Sequence, residues 1–156
     1  VATILTYKPH VREISNLESA YSPPFASAMD SVNTLGNAAT NYLEGRYRPV
    51  EWDEFMADWK SRNKEDILFI DCRASADARP FEEKYQPFWL SIPHEQLCDR
   101  LNEVPRDKKI MLVCNTGARS YEAQINLDAA GITGNFSIGG GMAGLKESGL
   151  HSILDE

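Results

Sequence analysis

Two residue types in the run Lys109–Ser120, K-I-M-L-V-C-N-T-G-A-R-S, can do chemistry together: the Cys114 thiol and, five residues on, the Arg119 guanidinium. A cysteine that ionises is a nucleophile, and an arginine offers a fixed fork of donors to an oxyanion or a sulfur anion. Gly117 lies between them and can take φ > 0, so that consecutive loop N–H groups point inward. Asn115, Thr116 and Ala118 complete such a loop, and Ser120 follows it with a hydroxyl. Together these residues describe a cradle for negative charge, borne by a thiolate or by an anion bound to it.

The flanking sequence must place that loop. Ile110–Val113 is a short, branched, apolar run and predicts a buried strand that stops at Cys114. Ser120–Ala130 predicts the helix that follows, with Tyr121, Ile125 and Leu127 as its apolar contacts and Gly131 as its end. Strand, tight loop and helix N-terminus in succession put the thiol at the C-terminal end of a strand, where open α/β sheets bind their ligands. Ile67–Asp71 predicts a second buried strand. Asp71 and Arg73, two apart, project to one side of an extended chain, and Cys72 points to the other as a small buried hydrophobe. Trp52, Phe55, Met56 and Trp59 recur at helical spacing and predict a core-facing helix. Ser75–Tyr85 predicts a helix interrupted by Pro80, Phe88–Ile92 a strand, Pro93–Asn102 a helix with Ile92, Leu97 and Leu101 on one stripe, and Asn135–Ile138 the last strand.

C-N-T-G-A-R-S resembles the active-site loop of rhodanese-type sulfurtransferases, a six-residue loop from Cys114 to Arg119. The related phosphatase and arsenate-reductase branch uses a loop one residue longer, so the span favours sulfur transfer over oxyanion chemistry. Ile67–Arg73 resembles the family's first core strand with its Asp-x-Arg ending, Phe81–Pro93 the stretch that closes on Ile-Pro, and Ile138–Leu145 the closing glycine-rich segment. The resemblance covers about residues 48 to 151. It implies an α/β rhodanese-like fold, a mainly parallel five-stranded sheet with helices on both faces. It also implies that Cys114 carries sulfur as a persulfide, that the loop from Asn115 to Ser120 with Arg119 stabilises the charge, and that Asp71 and Arg73 brace the loop by hydrogen bonding. The sequence departs from the family at Lys84-Tyr85 and Phe88-Trp89, where small residues are usual; two bulky aromatics there could reshape the pocket, narrow it, or provide an apolar landing site for a sulfur donor. Leu145 stands where a Trp is usual.

Residues 1–47 read as an N-terminal extension and 48–156 as the rhodanese-like domain. Within the extension, Val1–Thr6 predicts a short strand. Asp30–Gly45 predicts a helix capped by Asp30 or Ser31, with a stripe of Leu35, Ala38, Ala39, Tyr42 and Leu43. Tyr21–Asn33, with its Pro pair, and Asn41–Gly45 resemble the end of the dimerisation domain of the coenzyme A-disulfide reductase family, flavin- and pyridine-nucleotide-dependent enzymes that in some members carry a C-terminal rhodanese domain. That resemblance implies a flavin-dependent disulfide reductase as partner, or a homodimer through residues 1–47. The chain begins at Val1 without a Met, which suggests a piece of a longer polypeptide.

Other classes are disfavoured. The net charge of −7 argues against nucleic acid as a partner. No run of 18 apolar residues predicts a membrane span. No G-x-G-x-x-G follows a strand, so no flavin or nicotinamide cofactor is expected. His10, His94 and His151 show no metal-ligand spacing with a cysteine pair, so no metal is expected. Three cysteines fit a reducing, cytoplasmic compartment better than a disulfide framework. Cys98 is an additional thiol that could act as a resolving or acceptor group. The sequence therefore points to a sulfurtransferase that moves sulfane sulfur from thiosulfate, polysulfide or a persulfide to a thiol or cyanide. The alternative is a non-catalytic rhodanese-like docking module of a disulfide or persulfide reductase system.

Overall fold

The computed structural model describes residues 2–18, 29–62 and 66–149. The Pro-pair stretch with Tyr21, residues 63–65 of the charged turn, and His151 lie outside the described residues. The chain divides into two compact units, Val1–Arg46 and Tyr47–Glu156.

Among its described residues the first unit contains three helices, α1 (Ala2–Tyr7), α2 (Val11–Ser15) and α3 (Ser31–Leu43). The strand expected over Val1–Thr6 is therefore a helix; over so short a run, branched residues carry a β preference that context overrides. His10 caps α2: its ring accepts from the Arg12 backbone N–H at 3.3 Å, and its backbone N–H donates to the Glu13 carboxylate at 2.6 Å. α3 starts as expected, with the Asp30 carboxylate accepting from the Val32 N–H at 2.7 Å. Its buried face differs from the one expected. Leu35, Tyr42 and Leu43 are exposed, and the buried residue is Gly36. A Cβ on Gly36 would lie 2.5 Å from the Ser15 backbone nitrogen, so the helix meets α2 by close backbone approach rather than through an apolar stripe.

The second unit is an all-parallel five-stranded sheet in the order β1-β5-β4-β2-β3. The strands are β1 (Pro49–Val50), β2 (Ile67–Asp71), β3 (Trp89–Ser91), β4 (Lys109–Val113) and β5 (Asn135–Ile138). The helices are α4 (Trp52–Ser61), α5 (Ser75–Tyr85), α6 (Ala118–Ala129) and α7 (Gly141–Glu147), with a 3-10 segment over His94–Glu103. The α/β class, the parallel sheet and its five strands follow the sequence reading. Parallel strands covered on both faces read as continuous apolar runs, and all five residues of β2 are buried.

Alternation along the strands sorts the core into two layers. Phe69, Met111, Val113 and Ile138 face one side and pack with Phe55, Trp59, Trp89 and Leu145. Leu68, Ile70, Cys72, Ile110, Leu112 and Cys114 face the other and pack with Leu97, Ala123 and Leu127. Leu145 fills its core position. α5 runs unbroken through Pro80 rather than stopping there. Ile125, expected among the contacts of α6, is exposed.

Trp89 corrects the expected effect of the bulky pair. It is buried in the first layer, stacked on Phe69 at 5.5 Å and Phe81 at 5.4 Å between ring centroids. Phe88 precedes β3 at its N-terminal end, whereas Cys114 leaves β4 at its C-terminal end. Trp89 builds core on the face of the sheet opposite Cys114, and Phe88 is half-buried outside both core layers.

Candidate active site

Cys114 is the first residue after β4 and continues the alternation of Ile110 and Leu112, so its side chain turns toward α6. It is 1% exposed. The Gly117 N–H donates to Cys114 Sγ at 3.0 Å. Gly117 has φ +99°, and that left-handed turn aims its N–H back at the sulfur before α6 begins at Ala118. Ser120 Oγ lies 3.4 Å from the sulfur and donates to the Gly117 carbonyl at 3.0 Å. A hydrogen bond to a thiolate favours the charged form, and so does the N-terminus of α6.

The loop backbone is held from behind by α7. The Met142 N–H donates to the Cys114 carbonyl at 2.8 Å, and the Ala143 N–H to the Asn115 carbonyl at 2.9 Å. Gly141, at φ +61°, permits this: a Cβ there would lie 2.4 Å from the Cys114 carbonyl oxygen. Asn115, Thr116, Ala118 and Arg119 form the exposed outer side of the loop. Among the described residues Arg119 makes no hydrogen bond or ion pair, which leaves its donors available to an anion. Its charge reaches the same corner of the fold. Burial is the chief cause that pushes the Cys72 thiol up, Asp71 and Cys114 add to it, and Arg119 opposes them.

Asp71 and Arg73 form a buried ion pair, with Arg73 Nη2 2.6 Å and Nε 2.9 Å from the Asp71 carboxylate. The Trp89 indole N–H donates to the same carboxylate at 3.2 Å, and the guanidinium lies over Phe81. Among the described residues neither side chain hydrogen-bonds the 114–120 loop. The physical reason is strand alternation: Asp71 pairs in register with Val113, on the layer opposite Cys114. The link between β2 and the start of the loop is backbone, the Cys72 N–H to the Val113 carbonyl at 2.8 Å. Cys98 is exposed on the 3-10 segment. His94 Nε2 lies 3.0 Å from Glu122, an ion pair when the imidazole is protonated.

No family model matches the chain. It is 29% identical over 106 residues to a sulfurtransferase from Allochromatium vinosum, a match covering 68% of this chain and 96% of that one. Among solved structures, a NAD-dependent persulfide reductase from A. fulgidus superposes over 91% of the chain with 34% identity and a TM-score of 0.69. Reduced Bacillus anthracis CoADR-RHD superposes over 98% with 28% identity and a TM-score of 0.73. The chain carries a rhodanese-like domain. It spans only 24% and 25% of the two solved chains.

Within this rhodanese-like domain, the loop residues named from the sequence meet in one place, with Cys114, Gly117 and Ser120 inside and Asn115, Thr116, Ala118 and Arg119 at the rim. Two hydroxyls around the sulfur were missed. Ser137 Oγ lies 2.6 Å from Ser120 Oγ, and the Tyr47 ring, at the end of the chain segment leading into β1, meets Tyr121 edge-on. Burial pushes the Tyr47 phenol up, and the charge of Cys114 adds to that. Tyr47 was assigned to the extension; the signal for Ser137 was its place on alternate positions of β5, facing α6 as Cys114 does. Among the described residues no group of three His, Cys, Asp or Glu side chains could hold a metal, and no helix is long and apolar enough to cross a membrane.

Proposed function

We propose that the domain is a sulfurtransferase working by double displacement through a Cys114 persulfide. The Cys114 thiolate attacks the outer sulfur of thiosulfate, a polysulfide or a thiol persulfide. The sulfur–sulfur bond of the donor breaks and its electron pair leaves with sulfite or the donor thiolate, which Arg119 steadies. Cyanide or an acceptor thiolate then takes the sulfane sulfur and returns the thiolate. The observation that carries this reading is the Gly117 N–H on Cys114 Sγ in a six-residue loop at the C-terminal end of a parallel strand. Because Cys114 is 1% exposed, only the slim end of a donor fits the approach, and in the persulfide the transferred sulfur extends outward.

The likeness to the persulfide reductase and to CoADR-RHD supports a place beside a flavin- and nicotinamide-dependent reductase of disulfides or persulfides, as a partner subunit or as part of one chain. It also supports residues 1–47 as a remnant of that enzyme's dimerisation domain. Three unpaired cysteines support a reducing, cytoplasmic setting.

The test is thiocyanate production from thiosulfate and cyanide, with intact-mass measurement of donor-treated protein, for the parent and Cys114→Ala. One added sulfur on the parent and none on the variant is the expected result. Persulfide formed from polysulfide but not thiosulfate moves the substrate and keeps the mechanism. No sulfur loading from any of the three donors overturns the enzyme and leaves the docking module.

A further inference from the structure

Resting on Cys114 as the sulfur carrier, we propose that Cys72 resolves its persulfide: the two cysteines close a disulfide and expel the sulfane sulfur as hydrosulfide, so that the domain releases sulfide when no acceptor thiol is present.

Strand register brings the two sulfurs together. β2 and β4 pair in parallel with Asp71 beside Val113, so the next residues, Cys72 and Cys114, stand side by side. The ladder still holds at that point, with the Cys72 N–H on the Val113 carbonyl at 2.8 Å. Alternation turns both side chains to the α6 face. Both belong to the same buried layer, each at 1% exposure. Neighbouring strands lie about 4.8 Å apart, within the roughly 4.4–6.8 Å between Cα atoms that a disulfide joins. Each cysteine also follows the last residue of its strand, where the ends can draw together without shifting the ladder. The charge of Cys114 is felt at the Cys72 thiol. Cys98, the thiol expected from the sequence to act as a resolving group, is exposed on the 3-10 segment and lies outside this layer.

The step balances within the domain. Cys72 Sγ attacks Cys114 Sγ, and a new sulfur–sulfur bond forms between them. The bond from Cys114 Sγ to the outer sulfur breaks, and its electron pair leaves with that sulfur. The proton of the Cys72 thiol ends on the hydrosulfide. Cys72 is oxidised and the sulfane sulfur is reduced, so no outside oxidant enters. In the persulfide the outer sulfur extends toward the rim that carries Arg119, while Cys72 meets Cys114 Sγ from the core side. Nucleophile and leaving group thus take opposite sides of the sulfur under attack. Burial, chiefly, pushes the Cys72 thiol up, and Asp71 and Cys114 add to it. Only a thiolate attacks, so this resolution is slow beside capture by cyanide or an acceptor thiolate. It takes over when the persulfide is left waiting. A reaction that reduces a disulfide must then follow before Cys114 can load again.

The experiment uses the whole chain in a Cys98→Ser background. Protein is loaded with thiosulfate, or with polysulfide where thiosulfate does not load, then desalted and held without thiol. Hydrosulfide is measured as methylene blue, the added sulfur by intact mass, and the Cys72–Cys114 bridge on its linked peptides after digestion without reductant. In the parent the added sulfur should disappear as hydrosulfide and bridge appear in equal amounts, at a rate independent of protein concentration. Cys72→Ala should keep its sulfur roughly tenfold longer or more and form no bridge. A parental persulfide that persists, or one lost equally fast in Cys72→Ala, overturns the resolving role. Should Cys72→Ala fail to fold, the linked peptide and its match to hydrosulfide in the parent decide. Failure to load sulfur at all is distinct, since it removes Cys114 as the carrier and this step with it.

Discussion

Gly141 is where one added methyl group tests the seating of the loop. A Cβ there would lie 2.4 Å from the Cys114 carbonyl oxygen and 2.7 Å from the Asn115 carbonyl, whereas ordinary contact begins at 3.4 Å. In Gly141→Ala the start of α7 and the loop must therefore separate by about 1 Å. That movement breaks the Met142 and Ala143 N–H bonds to those same carbonyls. Two backbone hydrogen bonds at about 1 kcal/mol each, with about 1 kcal/mol for an alanine at positive φ, give a loss of roughly 3 kcal/mol. For a domain of this size that is a fall of roughly 15 °C in thermal midpoint. A displacement of about 1 Å at the reacting sulfur is worth roughly a hundredfold in rate. Gly140→Ala is the control. It too has positive φ, but its nearest neighbour would be 3.5 Å away, so only the conformational cost of about 1 kcal/mol applies. The assays are thermal unfolding by circular dichroism and the rate of persulfide formation by intact mass. If the two variants melt together and load sulfur at the parental rate, α7 does not hold the loop as described.

Asp71→Asn leaves the buried Arg73 cation without its counter-charge, and urea unfolding should show a loss of about 3–5 kcal/mol. Below its transition the same variant should load sulfur at close to the parental rate, since the pair faces the layer opposite Cys114; a large loss of loading in folded protein would show that the pair acts on the loop. Burial holds the Cys72 thiol protonated in the folded state beyond the pH at which an unfolded thiol ionises. The folded chain then binds more protons than the unfolded one, so this stabilisation is complete below about pH 8.5 and falls by about 1.4 kcal/mol per pH unit above it. Cys72→Ala should lose stability less steeply than the parent across that alkaline range in urea titrations, and parallel slopes would contradict the assignment.

What could be read from the sequence was whatever a local pattern dictates. The apolar runs at Ile67–Asp71 and Ile110–Val113 are buried on both faces, and no other element reads that way. The loop residues from Cys114 to Ser120 could be named because chemistry and spacing coincide within one turn of chain. What could not be read depends on pairing between distant segments. The first helical unit was misjudged twice, at α1 and at the stripe of α3, because its packing rests on a glycine that admits another backbone. A search for apolar periodicity cannot register a missing side chain.

Asp71 and Tyr47 show the same dependence from opposite sides. Asp71 stands two residues from Arg73 and ends a strand adjacent to β4, so the sequence places it beside the loop. Only the register, Asp71 against Val113, shows that its side chain leaves on the other face. Tyr47 lies 67 residues before Cys114 and just ahead of a two-residue edge strand, with nothing local to mark it. β1 pairs with β5 at Pro49 and Ser137, and β5 pairs with β4 at Ser137 and Leu112. Those two pairings carry Tyr47 and Ser137 to the level of the sulfur. The groups facing Cys114 are thus selected by the parity and register of four neighbouring strands. Tyr47 falls within the second unit, where its ring meets Tyr121 on α6.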